Sequence, residues 1–389
     1  MMRKIMVKTL GIAVLLITLF LPNTCAFANE EKNSWKELAT MPTYRFMFQT
    51  EVVDGKIYAI GGLGDGYYPT IISPTEVYDP SINTWTTLAS MPVALPDYLQ
   101  TEVIDGKIYA IGGWGTEDTP VTSTEVYDPS TDTWTVLAPM AVAQGDNFQT
   151  EVINGKIYAI GNSTDGTCTL LTEVYDPSTD TWTILASIPI DCKDFQTEVV
   201  DGKIYVIGGY NGSIWHISDV NSLSSTEVYD PPTNTWTTLA PMTTSRYDFQ
   251  TEVINGKIYA IGGWNVSAVD SKGKSLSSTE VYNPSTNTWT TLASMPTPRC
   301  SLQTEVINGK ICAIGGFGSN DLSSTEVYDP STDTWTTLAS MSNARCFFHS
   351  EVINKVIYAI DGCSFESYTV DTNAQKKPLE ILKLIKKGR

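Results

Sequence analysis

Histidine is almost missing from this chain of 389 residues, which holds only His216 and His349. A histidine-rich metal centre is excluded by that count. Seven cysteines are present, yet no Cys-x-x-Cys spacing occurs among them, so neither a zinc ribbon nor a thioredoxin-like redox pair has the residues it needs. Basic residues are few, 25 Lys and Arg against 43 Asp and Glu, for a net charge of −18. So acidic a surface repels nucleic acid and anionic lipid, and neither is expected as a partner. Apolar runs long enough to span a membrane are also missing, and so is a helical period. Without a helix N-terminus, the Gly-Gly pairs along the chain have nothing on which to seat a dinucleotide phosphate.

The one marked apolar run, Leu10 to Leu21, is preceded by Arg3, Lys4 and Lys8 and followed by Ala26-Phe27-Ala28. This is the order of a secretory signal peptide, so residues 1–28 are expected to be removed after Ala28 and the chain exported. The remainder has 22 basic and 43 acidic residues, net −21. Six of those basic residues and one acid fall in the tail 376–389, which leaves residues 29–375 at −26. The tail reads as a short basic amphipathic segment, expected to lie against the acidic body; association with a membrane surface is the alternative.

What is abundant is repetition. Gly-Lys-Ile-Tyr-Ala-Ile-Gly-Gly at Gly55–Gly62 returns in close copies beginning at Gly106, Gly155, Gly202, Gly256 and Gly309, with a degenerate copy at Lys355. Each copy but the last is followed by Thr-Glu-Val-Tyr and, beyond a turn, by Trp. The first glycine of the pair falls at 61, 112, 161, 208, 262 and 315, with Asp361 in the last copy. A period near fifty with several strand-like segments implies a radial array of small sheets. Within a period, Gln-Thr-Glu-Val-Ile alternates as a strand, Asn-Gly or Asp-Gly makes a two-residue hairpin turn, and Lys-Ile-Tyr-Ala-Ile returns with both faces apolar. A variable loop leads to the Thr-Glu-Val-Tyr strand, and Asp-Pro-Ser-Thr-Asp turns into the Trp strand.

The double Gly after an aliphatic strand, the Tyr-Asp-Pro and the later Trp resemble the kelch family over roughly residues 33–373. The resemblance implies an all-β, seven-bladed kelch-type β-propeller with four antiparallel strands per blade. Seven fourth-strand tryptophans support that number: Trp35, Trp85, Trp134, Trp182, Trp236, Trp289 and Trp335. Trp35 precedes every first strand, so 33–41 is expected to close the last blade as its outer strand. Three segments follow: 1–28, the propeller 29–375 and the tail 376–389.

Most repeated acids belong to the scaffold on this reading. Glu51 and its equivalents on the first strand, and Glu76 and its equivalents on the third, occur once per blade, as hydrogen-bonding elements between blades would. No catalytic residue, metal or cofactor is assigned. The seven-bladed kelch enzymes similar to this architecture, copper-radical galactose oxidases, need two His and two Tyr with a Tyr–Cys crosslink, for which this chain offers no arrangement. If Asn354 and Lys355 form the last hairpin turn, the register carries Cys346 opposite Cys363, an expected disulfide.

Binding is expected where the copies differ. Four residues before the repeated Gln (His349 in the last copy) stand Arg45, Pro96, Gly145, Cys192, Arg246, Arg299 and Arg345. The four arginines lie on consecutive blades and form either a cationic arc for a ligand or bonds to neighbouring loops. Loop aromatics Trp114, Tyr210, Trp215, Trp264 and Phe317 either stack on a sugar or protein ligand or fill gaps between blades. The function expected is a secreted, non-enzymatic module that recognises a glycan or protein through the loop face. The alternatives are an enzyme similar to kelch-type sialic acid mutarotases, with Arg holding a substrate carboxylate, and a structural role in surface assembly.

Overall fold

The computed structural model describes residues 33–369 apart from 65–70, 94, 96–97, 116–118, 145–147, 163–169, 189, 191, 213–219, 268–269 and 362–364. The expected signal segment and basic tail, with Cys168, Trp215, His216 and Cys363, lie outside the described residues.

Each repeat begins with a hairpin whose turn dictates its register. Asp54 (φ 51°) and Gly55 (φ 72°) are both left-handed, which matches the right-handed twist of the flanking strands. Gln49 then faces Ile60 and Val53 faces Lys56. In the last copy Asn354 and Lys355 adopt the same pair of conformations at φ 52° and 68°, so His349 faces Ile360. The returning strand, Lys56–Ile60, is buried over its last four residues; its two faces meet two neighbouring sheets. The Gly pair ends it by close approach, since a Cβ on Gly62 (φ 92°) would lie 2.8 Å from the carbonyl oxygen of Phe46.

The Asp-Pro turn is built from short-range hydrogen bonds. Asp79 accepts from the backbone N–H of Ser81 at 2.9 Å and from Lys56 Nζ at 3.0 Å. Four residues on, Asn83 sits at φ 51°, where Asn and Asp are tolerated. Its side-chain oxygen accepts from Tyr78 OH at 2.8 Å and from the backbone N–H of Ala39, leading out of the preceding strand, at 2.9 Å. Asp132 does the same for Tyr127 and Ala89. The repeated Asp/Asn therefore ties its blade to the one before. The following Trp acts similarly: Trp85 Nε1 donates to Ala39 O at 3.0 Å, and its ring lies 5.4 Å from that of Tyr78.

Seven four-stranded antiparallel sheets result. Their innermost strands run side by side around the channel, from Gln49–Val53 through to His349–Ile353 and back to the first. The ring closes as expected, though over fewer residues: Trp35–Glu37 pairs with Phe365–Thr369, Trp35 opposite Tyr368. Two small ribbons, Tyr210–Asn211 with Asn221–Ser222 and Trp264–Ser267 with Asp270–Ser275, stand on blades four and five and were not expected from the repeat.

Trp35 also donates from Nε1 to Ala339 O at 3.2 Å and stacks against Tyr368 at 5.3 Å. Trp35→Ala is expected to destabilise the protein by about 3–5 kcal/mol, measured as a lower midpoint in chemical denaturation.

Candidate functional site

Counting back from the repeated Gln misplaces the arginine slot in two blades. The loops of blades two and three carry one extra residue, and the slot lies four residues after the loop's leading Met or Ile. The carbonyl oxygen of Leu95 stands over Gly61 as that of Arg246 stands over Gly208. Blades one to seven therefore hold Arg45, Leu95, Gln144, Cys192, Arg246, Arg299 and Arg345 in the slot, not Pro96 and Gly145. All four arginines are buried. Arg45 pairs with Glu76 at 2.9 Å, Arg246 with Glu280 at 2.6 Å, Arg299 with Glu326 at 2.9 Å and Arg345 with Glu366 at 2.9 Å. Each guanidinium also donates to backbone carbonyls, Arg246 to Gly262 at 2.8 Å and Ser278 at 3.1 Å. Burial lowers the pKa of Arg45, Arg246 and Arg299, against the pull of the partner carboxylate. Of the two readings open for these arginines, the cationic arc on the loop face is absent: they lock loops to blades. In blade two, Leu95 has no head group to offer. Glu125 accepts from the Val93 N–H at 2.8 Å, but its other oxygen and the Ser123 hydroxyl are buried without a partner, and burial pushes Glu125 up to about 7.

The first-strand glutamates form a second circle, along the channel. Thr50 donates to Glu351 at 2.7 Å and Ser350 to Glu305 at 2.7 Å. The remaining five are held alike, Glu51 by Thr101, Glu102 by Thr150, Glu151 by Thr197, Glu198 by Thr251 and Glu252 by Thr304. Desolvation dominates, and it pushes Glu102, Glu198 and Glu305 up to about 8 and the other four to about 7. One hydroxyl per carboxylate does not offset that desolvation.

The loop-end mouth of that channel is where the blades diverge. Two residues before six of the seven inner strands the chain turns left-handed, at Met47, Tyr98, Asp194, Asp248, Ser301 and Phe347 (φ 47–55°); the equivalent residue of blade three lies outside the described residues. On blades four to six this position is polar. Ser301 Oγ donates to Asp248 at 2.5 Å, and the Asp248 N–H supports Asp194. Burial, then the charge of Asp248, pushes Asp194 up to about 7, and burial raises Asp248 against the donors on Ser301 and Cys300. The two carboxyls titrate as a pair. Beside them burial drives the Cys300 thiol up to about 12, which leaves it without nucleophilic thiolate. On blades seven and one the same rim is apolar and open: Phe347 is 80% exposed, Met47 50% and Phe46 37%.

The expected loop aromatics mostly turn inward. Tyr210 is buried and packs with Val220, Val266, Tyr247 and Trp264. Trp264 pairs with Tyr247 across the hairpin extension, and Phe317 with Cys300. Trp114 bridges Pro120 and is partly buried. Trp215 lies outside the described residues. The expected Cys346–Cys363 bridge is not supported, because the ladder begins at His349 and left-handed Phe347 breaks the register before Cys346. Cys346 is a free thiol, 3.3 Å from Asp321 Oδ1, and Cys363 lies outside the described residues. The exposed rim of Phe347, Met47 and Phe46 was missed in the sequence. The signal available was a bulky apolar residue where blades four to six have Asp or Ser.

The family profile described as the KLHDC2/KLHL20/DRC7 Kelch-repeats domain matches residues 147–362, more than half of the chain, and the Kelch motif matches 44–92 and 99–141. An F-box/kelch-repeat protein of Arabidopsis thaliana is 40% identical over 106 residues, 27% of this chain and 25% of that protein. Kelch-like ECH-associated protein 1A of Danio rerio is 39% identical over 97 residues, 25% of this chain and 16% of that protein. The chain therefore spans a quarter or less of the length of these relatives. Two solved structures share the fold at 17% identity. The structure of YjhT has a TM-score of 0.57 and covers 77% of this chain and 99% of its own. A fungal alcohol oxidase in complex with copper has a TM-score of 0.68 and covers 86% and 75%. Among the described residues no three His, Cys, Asp or Glu side chains are grouped to hold a metal. Burial pulls His349 down to about 4, and it packs 5.0 Å from the ring of Phe48.

Arg299→Met strands Glu326 in a dry slot and is expected to cost about 3–5 kcal/mol, with Arg299→Met/Glu326→Met recovering most of it; urea denaturation of both variants checks this. The channel glutamates bind protons more tightly folded than unfolded. Their stabilisation is complete below about pH 4.5 and is lost as pH rises through 7 to 8. The thermal midpoint is therefore expected to fall between pH 5.5 and 8.5, and Glu198→Gln to flatten that dependence; an unchanged slope would place its source elsewhere.

Proposed function

The chain belongs to the kelch-repeat family, and from that premise we propose that it is an exported binding module that captures a protein partner across the loop-end mouth of its propeller. One observation carries this reading. Phe347, Met47 and Phe46 are large apolar side chains held in the open on adjacent blades, on a chain whose net charge is −18. Adjacent exposed apolar anchors with a polar surround are what protein interfaces bury. A relative named as ECH-associated is consistent with a role in association. Export rests on the order of charges, apolar run and Ala26-Phe27-Ala28 at the N-terminus.

A glycan is the weaker ligand class, because Tyr210, Trp264 and Phe317 are engaged between loops rather than presented as stacking platforms. The mutarotase-like alternative has one feature in its favour, the raised carboxyl of Asp194, a proton carrier at neutral pH. It loses its substrate clamp, since every candidate arginine is paired to a buried glutamate.

Selection of a displayed peptide library on residues 29–389 tests the assignment. Selected peptides are expected to lose binding to Phe347→Ala and Met47→Ser and to keep it for Ile184→Ser, an exposed residue of an outer strand. Peptides indifferent to the two rim variants would sink the loop-face reading.

A further inference from the structure

Met47 and Phe347 are doubly unexplained by the fold. A left-handed residue with a side chain is disfavoured relative to its usual conformations, and this is the position where Asp194 and Asp248 suit the backbone better. Burial does not compensate, for Met47 and Phe347 are 50% and 80% exposed. Across the channel from them, on blades four and five, stands the Asp194–Asp248 pair, with Ser301 beside it on blade six. The mouth is thus two-sided, apolar on one rim and acidic on the opposite one. What fits such a mouth is a polypeptide segment that carries cations and bulky apolar side chains together.

Apart from the expected signal segment 1–28, the chain has one segment of that composition. Residues 376–389 hold six basic side chains and a single acid, interleaved with Leu379, Ile381, Leu382, Leu384 and Ile385, whereas residues 29–375 carry a net charge of −26. The reach is sufficient. Thr369 lies opposite Val356, next to the hairpin turn of blade seven, so the tail departs from the far end of the blade that bears Phe347. The six residues 370–375 that precede the docked segment can span about 20 Å, against the roughly 17 Å height of a five-residue strand.

We propose that residues 376–389 dock across the loop-end mouth, apolar side chains on Phe347, Met47 and Phe46 and a lysine at the Asp194–Asp248 pair, so that an outside partner must displace them. The proposal rests on the loop-face reading of the function. It makes the tail a built-in competitor for the same surface.

The test is fluorescence anisotropy of a labelled peptide of residues 376–389, titrated into the chain ending at Gln375. All described strands, including the closing pair, lie within 33–369, so the shortened chain keeps every ladder. Saturable binding is expected, weakened by salt. It should drop about tenfold or more in Phe347→Ser and, separately, in Asp194→Asn/Asp248→Asn, and hold in Asp105→Asn/Asp201→Asn, which alters hairpin turns at the opposite end. The full-length chain should bind the peptide more weakly than the shortened one. No saturation up to about 1 mM would overturn the proposal. So would equal binding by the rim variants and the shortened chain, or an equal loss in the hairpin-turn variant, which would mark diffuse attraction to an acidic body. If the peptide fails while library-selected peptides still depend on Phe347, the tail assignment falls and the loop-face reading stands; if both fail, both fall.

Discussion

A sheet of four short antiparallel strands cannot bury the faces of its own second strand. Ile57 to Ile60 and their six counterparts are covered only because another sheet lies on each side, so no blade is stable until the circle is complete. Closure by Trp35–Glu37 on Phe365–Thr369 is therefore the constraint on which the rest depends. It joins the two ends of the described chain through a pairing with very large sequence separation, and it removes the open edge that the last sheet would otherwise expose. The blades are then sewn by polar side chains that reach one blade back, the left-handed Asn83 and Asp132 and the indole of Trp85 among them.

Acidic residues in this protein have several separate physical tasks, which is why their number says little about function. Asp79 and its equivalents are spent on turns and on surface pairs with Lys56 and its counterparts, where screening leaves them worth little. The third-strand glutamates occupy dry slots and neutralise buried arginines in four blades, at a desolvation cost that the pair only partly offsets. The first-strand glutamates hold neighbouring inner strands together through one hydroxyl each, and burial pushes them towards the protonated form. Asp194 and Asp248, at a position that varies from blade to blade, are partly buried beside the mouth and hold protons more tightly than free carboxyls do.

Much of the fold was legible because it is local. Asp-Gly and Asn-Gly turns impose the hairpin register, alternation separates channel from core, and the unmatched Trp35 identifies the closing strand. The candidate site was far less legible. Spacing counted from the Gln put Pro96 and Gly145 in slots that the structure gives to Leu95 and Gln144, because one extra residue between the slot and the Gln leaves no trace in composition. The arginines looked like an exposed arc since their partners, Glu76, Glu280, Glu326 and Glu366, lie 21 to 34 residues away and belong to a repeated position that is uniform around the ring. The Cys346–Cys363 expectation extended a ladder past Phe347, where a left-handed residue ends it.

By itself the sequence determined the period, the blade count, the strand order and the closing strand, because each follows from interactions within about fifty residues or from a count of repeated parts. Tertiary structure alone decided which variable side chains are available. An arginine, a tyrosine or a phenylalanine in a loop is an anchor or a filler according to what the neighbouring blade places against it. That packing buried Arg45, Arg246, Arg299 and Tyr210 and left Phe347 and Met47 in the open.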